Sequence, residues 1–257
     1  MTNACVVAGS DGPVEVLVVG ASAGIGAACV RALLADPGVA RVHAWSRHAV
    51  RAWGDMDNGG GRLLARDVDA TDAGQLDAAA ATLHEGGTRL QLVLNTAGLL
   101  HADGIAPERS LAQVDAAALR RVFEVNAFAP ILLARAVERC IPRDAPAVFA
   151  SLSARVGSIG DNALGGWYAY RAAKAAQNQL LRTLSIEWRR TRPRACVLLL
   201  HPGTVDTGLS RPFQARVPAS RLFDVETAAR QLLAVIAGAT RAGSGRFVAW
   251  DGSEVPW

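Results

Sequence analysis

Apolar residues along this chain fall into short unbroken runs separated by stretches of helical spacing. Residues 14–19 form a continuous run rich in valine, the pattern of a central parallel strand buried on both faces. Residues 25–35 carry apolar positions at helical intervals and stop at Asp36-Pro37-Gly38. The alternation then repeats. Strands are expected at 39–45, 62–65, 90–94, 147–151, 195–201 and 246–250. Helices are expected at 71–83 with Thr71 as cap, at 115–140 with a bend or a stop and restart near Pro130, at 168–190 and at 225–237. Residues 57–61 read as a loop and residues 1–13 as a flexible lead-in. Strands alternating with helices imply right-handed βαβ crossovers onto one sheet. The expected class is α/β: a single domain over residues 14–257, a doubly wound parallel sheet with helices on both faces. Its ligand would lie beyond the carboxyl ends of the strands.

Gly20-Ala21-Ser22-Ala23-Gly24-Ile25-Gly26 joins the first strand to the first helix and makes the fold Rossmann-type. Gly20 permits the tight turn, while Gly24 and Gly26 remove side chains where backbone approaches a pyrophosphate and helix packs on sheet. The helix N-terminus offers N–H donors to phosphates, flanked by Ser22, Ala23 and Ile25. A phosphate loop of the ATP type is excluded by Ala27, which stands where that motif needs lysine. The residue closing the second strand should choose the dinucleotide, since an acid there binds a ribose 2′-hydroxyl. Here it is Ser46, followed by Arg47, a pair suited to a 2′-phosphate, so NADP(H) is favoured over NAD(H). Asn95-Thr96-Ala97-Gly98 supplies small residues at a second turn, so that Asn95, Ala97 and Gly98 bring backbone close to the cofactor.

Tyr170 and Lys174 are four residues apart, on one face of the helix expected at 168–190. An ammonium beside a phenol stabilises the phenolate and is expected to lower the tyrosine pKa, making it a proton donor or acceptor. Tyr168 has Ala172 four residues on and reads as packing or pocket wall.

Composition narrows the function by exclusion. The net charge of +4 over 257 residues describes a slightly cationic soluble protein. Arg189, Arg190, Arg192 and Arg194 sit where a long helix ends, which the helix dipole explains. No aromatic interleaving or binding module suggests nucleic acid. Cys5, Cys29, Cys140 and Cys196 are scattered and the histidines form no ligand pair, so no metal is expected. No apolar run approaches the ~18 residues of a membrane span, and a cytoplasmic location is expected.

In this order and at these distances the glycine loop, Asn95–Gly98, Asn126, Tyr170, Lys174 and Pro202-Gly203 resemble the short-chain dehydrogenase/reductase family over nearly the whole chain. The resemblance implies that Asp67 and Val68 meet the adenine. It implies that Pro202, Gly203, Val205 and Thr207 edge the nicotinamide, with Val205 bonding the carboxamide through its backbone. By the same resemblance, Asn126 positions a water linking Lys174 to bulk, and Lys174 also holds the ribose. The family has a catalytic serine on the loop after the fifth strand. Anchored on Gly157, that position is Ala154, with Ser153 one residue before it. Ser153 shifted in register, Ser158 from across the turn, or no hydroxyl are the three outcomes, and Ser153 is favoured. Ser158-Ile159-Gly160-Asp161-Asn162, Gly165–Tyr168, Ser185–Trp188 and the closing segment 250–257 look like the C-factor group. That branch contains a bacterial intercellular-signalling reductase and carbonyl-reductase relatives.

Three loops, about 99–110, 154–167 and 207–224, should flank the reacting centre, with Leu99, Leu164, Trp167, Leu209, Phe213 and Phe223 as an apolar wall and 207–224 as lid. The expected activity is NADP(H)-dependent reduction of a partly hydrophobic ketone, aldehyde or quinone to an alcohol. The rival is a dinucleotide-binding regulatory or signalling protein with little turnover. The resemblance implies a homodimer or homotetramer.

Overall fold

The computed structural model describes residues 6–54 and 60–257. Its strands are β1 (Val14–Val19), β2 (Val39–Ser46), β3 (Leu63–Asp67), β4 (Leu90–Asn95), β5 (Ala147–Leu152), β6 (Ala195–His201), the short β7 (Thr204–Val205) and β8 (Leu222–Phe223), and β9 (Arg246–Ala249). The helices are α1 (Gly24–Ala35), α2 (Ala49–Trp53), α3 (Ala73–Glu85), α4 (Ala116–Phe123), α5 (Ala129–Val137), α6 (Tyr168–Thr191) and α7 (Val225–Ala237). Seven strands form one parallel sheet in the order β3-β2-β1-β4-β5-β6-β9. The order reverses between β1 and β4, which opens a crevice at their carboxyl ends. This is the doubly wound fold expected from the strand–helix alternation.

The unbroken apolar runs are explained by two cores. Val16, Val18, Leu92, Leu94, Val148, Ala150, Leu198 and Leu200 face α1 and α7 through Val30, Leu33, Leu232 and Ile236. Their neighbours Leu17, Val19, Val93, Phe149, Val197 and Leu199 face α3, α5 and α6 through Leu76, Leu133, Leu181 and Trp188. Alternation along the central strands therefore feeds both faces, while exposed polar positions such as Arg41, Asp67 and Arg246 fall on the outer strands and strand ends. Pairing in register brings Val19 level with Asn95, and Asn95 level with Ser151, at the crevice.

Several expectations need correction. Thr71 does not cap α3: the Asp72 carboxylate does, accepting from the Gln75 N–H, while Thr71 bonds to Asp69. The helix expected at 115–140 breaks before Pro130 as well as near it. Asp115 caps α4, and a π-helical turn at Glu124–Phe128 follows before α5 begins. Pro130 lacks the N–H that would close an α-turn on the Asn126 carbonyl, so the chain widens there. Of the expected lead-in, residues 1–5 lie outside the described residues, while Val6 and Val7 are buried in the core against α1 and α7. Of the loop at 57–61, residues 57–59 lie outside the described residues. The last strand stops at Ala249, and the chain folds back so that Glu254 pairs antiparallel with Val248 along its outer edge.

Candidate active site

The β1–α1 turn is built around two close approaches. Gly20 has φ +83, and a Cβ there would lie 2.7 Å from the Ala97 nitrogen and from Thr96 Oγ1. A Cβ on Gly26 would lie 2.3 Å from the Gly20 carbonyl oxygen. The turn and the 95–98 loop are thus pressed together with no room for a side chain, and Thr96 Oγ1 ties them by donating to the Val19 carbonyl at 2.8 Å. α1 begins after Ala23, which gives it no side-chain cap, and has no acid in its first turn. Its leading N–H groups are therefore available to an anion. Thr207 lies over this end, 3.3 Å from where a Gly24 Cβ would be. Ser22 and Ala23 are exposed beside it.

At the end of β2, Ser46 is buried and accepts the His48 N–H, whereas Arg47 is exposed, makes no ion pair among the described residues and helps to hold the Asp69 carboxyl below its ordinary pKa. Asp67 spends a carboxylate oxygen on the Val50 N–H, bracing α2, and the Val68 N–H goes to the Ser46 carbonyl. On the far side, Pro202 and Gly203 follow β6 and Val205 is buried in β7. Phe223 does not join the substrate wall: it meets Trp250 edge to face at 4.7 Å and closes over Gly203, where a Cβ would lie 2.7 Å from its ring. Leu164 is 93% exposed and also stands apart from the wall.

Tyr170 and Lys174 occupy one face of α6 and both are buried, the amine lying 5.8 Å from the phenol ring centroid. The expected depression of the tyrosine is not found. Burial raises the Tyr170 pKa above its ordinary value. Burial likewise pulls the Lys174 amine down to about 7. A lysine driven towards neutrality brings less charge to the phenol, so desolvation decides both groups. Asn126 is fully buried, and its amide makes three bonds to backbone: it accepts the Leu99 N–H at 3.1 Å and donates to the carbonyls of Leu99 at 2.7 Å and Val122 at 2.9 Å. It ties the loop after β4 to the π turn.

Both candidate serines after β5 have partners of their own. Its hydroxyl donates to Asn178 Oδ1 at 2.6 Å, one turn of α6 beyond Lys174. Ser158 Oγ is spent on the Trp257 carbonyl at 3.3 Å and on the Asp161 N–H at 3.1 Å. Ala154 is the residue packed with the Tyr170 cluster. Successive residues of extended chain point to opposite sides, so Ser153 cannot take the place of Ala154 without a register shift. Around the phenol, Leu99, Leu209, Trp167 and Phe213 do form an apolar wall. Trp167 meets Tyr170 at 6.3 Å and Phe213 at 5.0 Å, edge to face. Trp167 itself has φ +53, a left-handed conformation rare outside glycine, held by its N–H bond to the Glu108 carbonyl at 2.6 Å. A cavity of about 530 Å³ lies elsewhere, between α7 and β9, and holds none of these groups. Among the described residues no cluster could ligate a metal, and no helix is long and apolar enough to cross a membrane.

The short chain dehydrogenase family model matches residues 15–217. The chain belongs to the short-chain dehydrogenase family. Family membership makes it an oxidoreductase. It is 34% identical to a 1-hydroxy-2-glutathionyl-2-methyl-3-butene dehydrogenase of Rhodococcus sp. (strain AD45), over 74% of this chain and 78% of that one. It is 38% identical to the C-signal protein of Myxococcus xanthus over 58% of this chain and 84% of that one. Among solved structures it is similar to NADPH-bound carbonyl reductase from chicken fatty liver, with a TM-score of 0.82 and 27% identity over 96% of this chain and all of that one (100%).

Three residues of this dehydrogenase site escaped the sequence reading. Glu108 is 4% exposed, and its carboxylate accepts the Ala169 N–H, acting as a remote cap on α6 beside Tyr170. His201 Nδ1 accepts the Arg155 N–H at 3.3 Å, and burial pulls its pKa down to about 4, so it stays a neutral brace between β6 and the loop after β5. Gln177 bonds to Lys174. Only Gln177 left a legible signal, a polar residue three positions after Lys174 on the buried face of the helix.

Proposed function

We propose that this short-chain dehydrogenase uses NADP(H) to reduce a hydrophobic ketone, aldehyde or quinone, with Tyr170 giving the proton to the substrate oxygen. One observation carries the reading: Tyr170 and Lys174 share a buried face of α6, walled by Trp167, Leu209 and Phe213. The cofactor half is supported by the uncapped start of α1 over the glycine turn, by the exposed Arg47, and by the NADPH bound in the chicken carbonyl reductase. When bound, NADPH supplies the hydride. The chain's own residues supply the rest. α1 and Arg47 hold phosphates, the wall excludes water, and the Tyr170 O–H is donated to the carbonyl oxygen as it gains charge. A phenol raised by burial is a fully protonated donor at neutral pH, which suits reduction. The same reading has the enzyme in the cytoplasm, where its buried thiols Cys29, Cys140 and Cys196 stay reduced. It also has the chain as a homo-oligomer joined through the long helices.

Ala154 favours a second reading, a dinucleotide-binding signalling protein with little turnover, to which the similarity to C-signal also points. NADPH oxidation followed by absorbance over a panel of ketones, aldehydes and quinones separates the two. The reductase reading expects substrate-dependent oxidation, tighter binding of NADPH than of NADH, and a loss of at least about 10²-fold in Tyr170→Phe with NADPH affinity kept. Confirmed NADPH binding with no oxidation of any compound supports the signalling reading.

A further inference from the structure

Lys174 is the only lysine of the chain; the remaining Lys/Arg positions are all arginine. Its amine has two acceptors, the Leu152 carbonyl at 2.8 Å and Gln177 Oε1 at 2.9 Å. Gln177 is itself fully buried, and its amide nitrogen donates to Ser151 Oγ at 2.9 Å and to the Leu152 carbonyl at 3.2 Å. Ser151 Oγ also accepts from Asn95 Nδ2 at 2.9 Å, and Asn95 Oδ1 accepts the Ala97 N–H at 3.3 Å. A buried chain of hydrogen bonds thus runs from the amine, across the end of β5, to the turn after β4.

Chemistry fixes its direction. An ammonium has donors only, so the Gln177 oxygen must face Lys174 and its nitrogen must face Ser151. A buried primary amide is costly unless satisfied, and an apolar side chain would fill this face of α6 without that cost. The position is also specific to the amine: the neighbouring Asn178 serves Ser153 instead.

We propose that Gln177 is the positioning residue for Lys174, holding the amine against the ends of β4 and β5 and coupling its place to the Asn95–Gly98 turn. With two of three N–H groups held by Leu152 and Gln177, one is left to point at whatever lies in the crevice. This role rests on the catalytic reading of Lys174 given above. The nearby phenol ring of Tyr170 has its centroid 5.8 Å from the amine, and burial accounts for the lowered lysine, with no charged group among the described residues contributing.

Because the chain has a single lysine, protein labelled with [13Cε]lysine gives one side-chain resonance whose pH titration reports Lys174 directly. Gln177→Leu removes an acceptor from the charged form and should lower the midpoint by about one pH unit. Gln177→Glu places a carboxylate against the amine and should raise it by a similar amount. In turnover, Gln177→Leu should lower kcat about tenfold with the carbonyl KM unchanged. Gln177→Glu should displace the pH–rate profile upward, a shift that lost packing would not produce. If Gln177→Leu does not fold, the direction of the Gln177→Glu shift decides alone. A resonance that titrates at the wild-type midpoint in folded variants overturns the proposal, even in an active enzyme. A shifted resonance in a protein that oxidises no NADPH keeps the positioning role and overturns the reductase reading instead.

Discussion

Ala154 places a methyl group where the loop after β5 packs with the Tyr170 cluster, while the hydroxyls of Ser153 and Ser158 are turned to other partners. Tyr170 is then the one hydroxyl among these residues left to polarise a substrate oxygen. A donor added at Ala154 should help it. Ala154→Ser is expected to raise kcat/KM by tenfold or more, up to the ~10²–10³ that one such donor is worth in other enzymes; steady-state kinetics on the best carbonyl substrate checks this. An unchanged kcat/KM would mean that the substrate oxygen sits out of reach of this loop. What was legible at this scale was local. The glycine turn and the Tyr170–Lys174 pair are defined within a few residues of sequence. Gln177 and Glu108 were missed because their meaning depends on partners far along the chain, Ser151 for one and Ala169 for the other. The partner of Ser153, Asn178, was out of sight for a related reason. Motif spacing locates a hydroxyl along the chain but does not say to which side an extended residue turns.

The strands were the most legible elements, because burial on both faces leaves few polar positions to blur a short valine- and leucine-rich run. Helix ends and interruptions were less so. Asp72 outcompeted Thr71 as a cap, and the π turn before Pro130 depends on a tertiary tie from Asn126 to the loop after β4. α6 carries a consequence for stability. Its Lys174 amine is pulled from 10.5 to about 7 by burial, so between these values the unfolded chain holds a proton that the folded chain does not. Stability contributed by this group therefore rises with pH across that window, by up to about 1.4 kcal/mol per pH unit, and is lost as pH falls towards 7. Urea unfolding from pH 7 to 9 should show the rise in the wild type. Lys174→Met should show a flatter profile and greater stability at pH 7. The comparison also removes the opposing effect of the buried thiols Cys29 and Cys196, both pushed up to about 12, which the two proteins share.

Across the whole molecule, the sheet ends on one side at β9, and an exposed edge strand is a template for pairing with another chain. Here the chain's last residues cover it. The Ala249 N–H bonds to the Ser253 carbonyl at 2.8 Å, the Val255 N–H to the Phe247 carbonyl at 2.9 Å, and Arg246 Nε to Glu254 at 2.6 Å. The same segment reaches the substrate side, because the Trp257 carbonyl accepts the Gly160 N–H at 2.8 Å and the Ser158 hydroxyl at 3.3 Å. Val255 is buried in the core beneath it, and the Trp257 ring lies 5.9 Å from Phe247. One short strap thus protects a sheet edge and anchors the loop that begins at Ala154. Removing residues 253–257 should do two separable things. It should lower Tm by about 5 °C or more, since several hydrogen bonds and a buried valine are lost together. It should also open β9 to association, seen as a concentration-dependent shift to larger species in size-exclusion chromatography with light scattering. A truncated protein that keeps its Tm and its size would show that the strap merely rests on the edge.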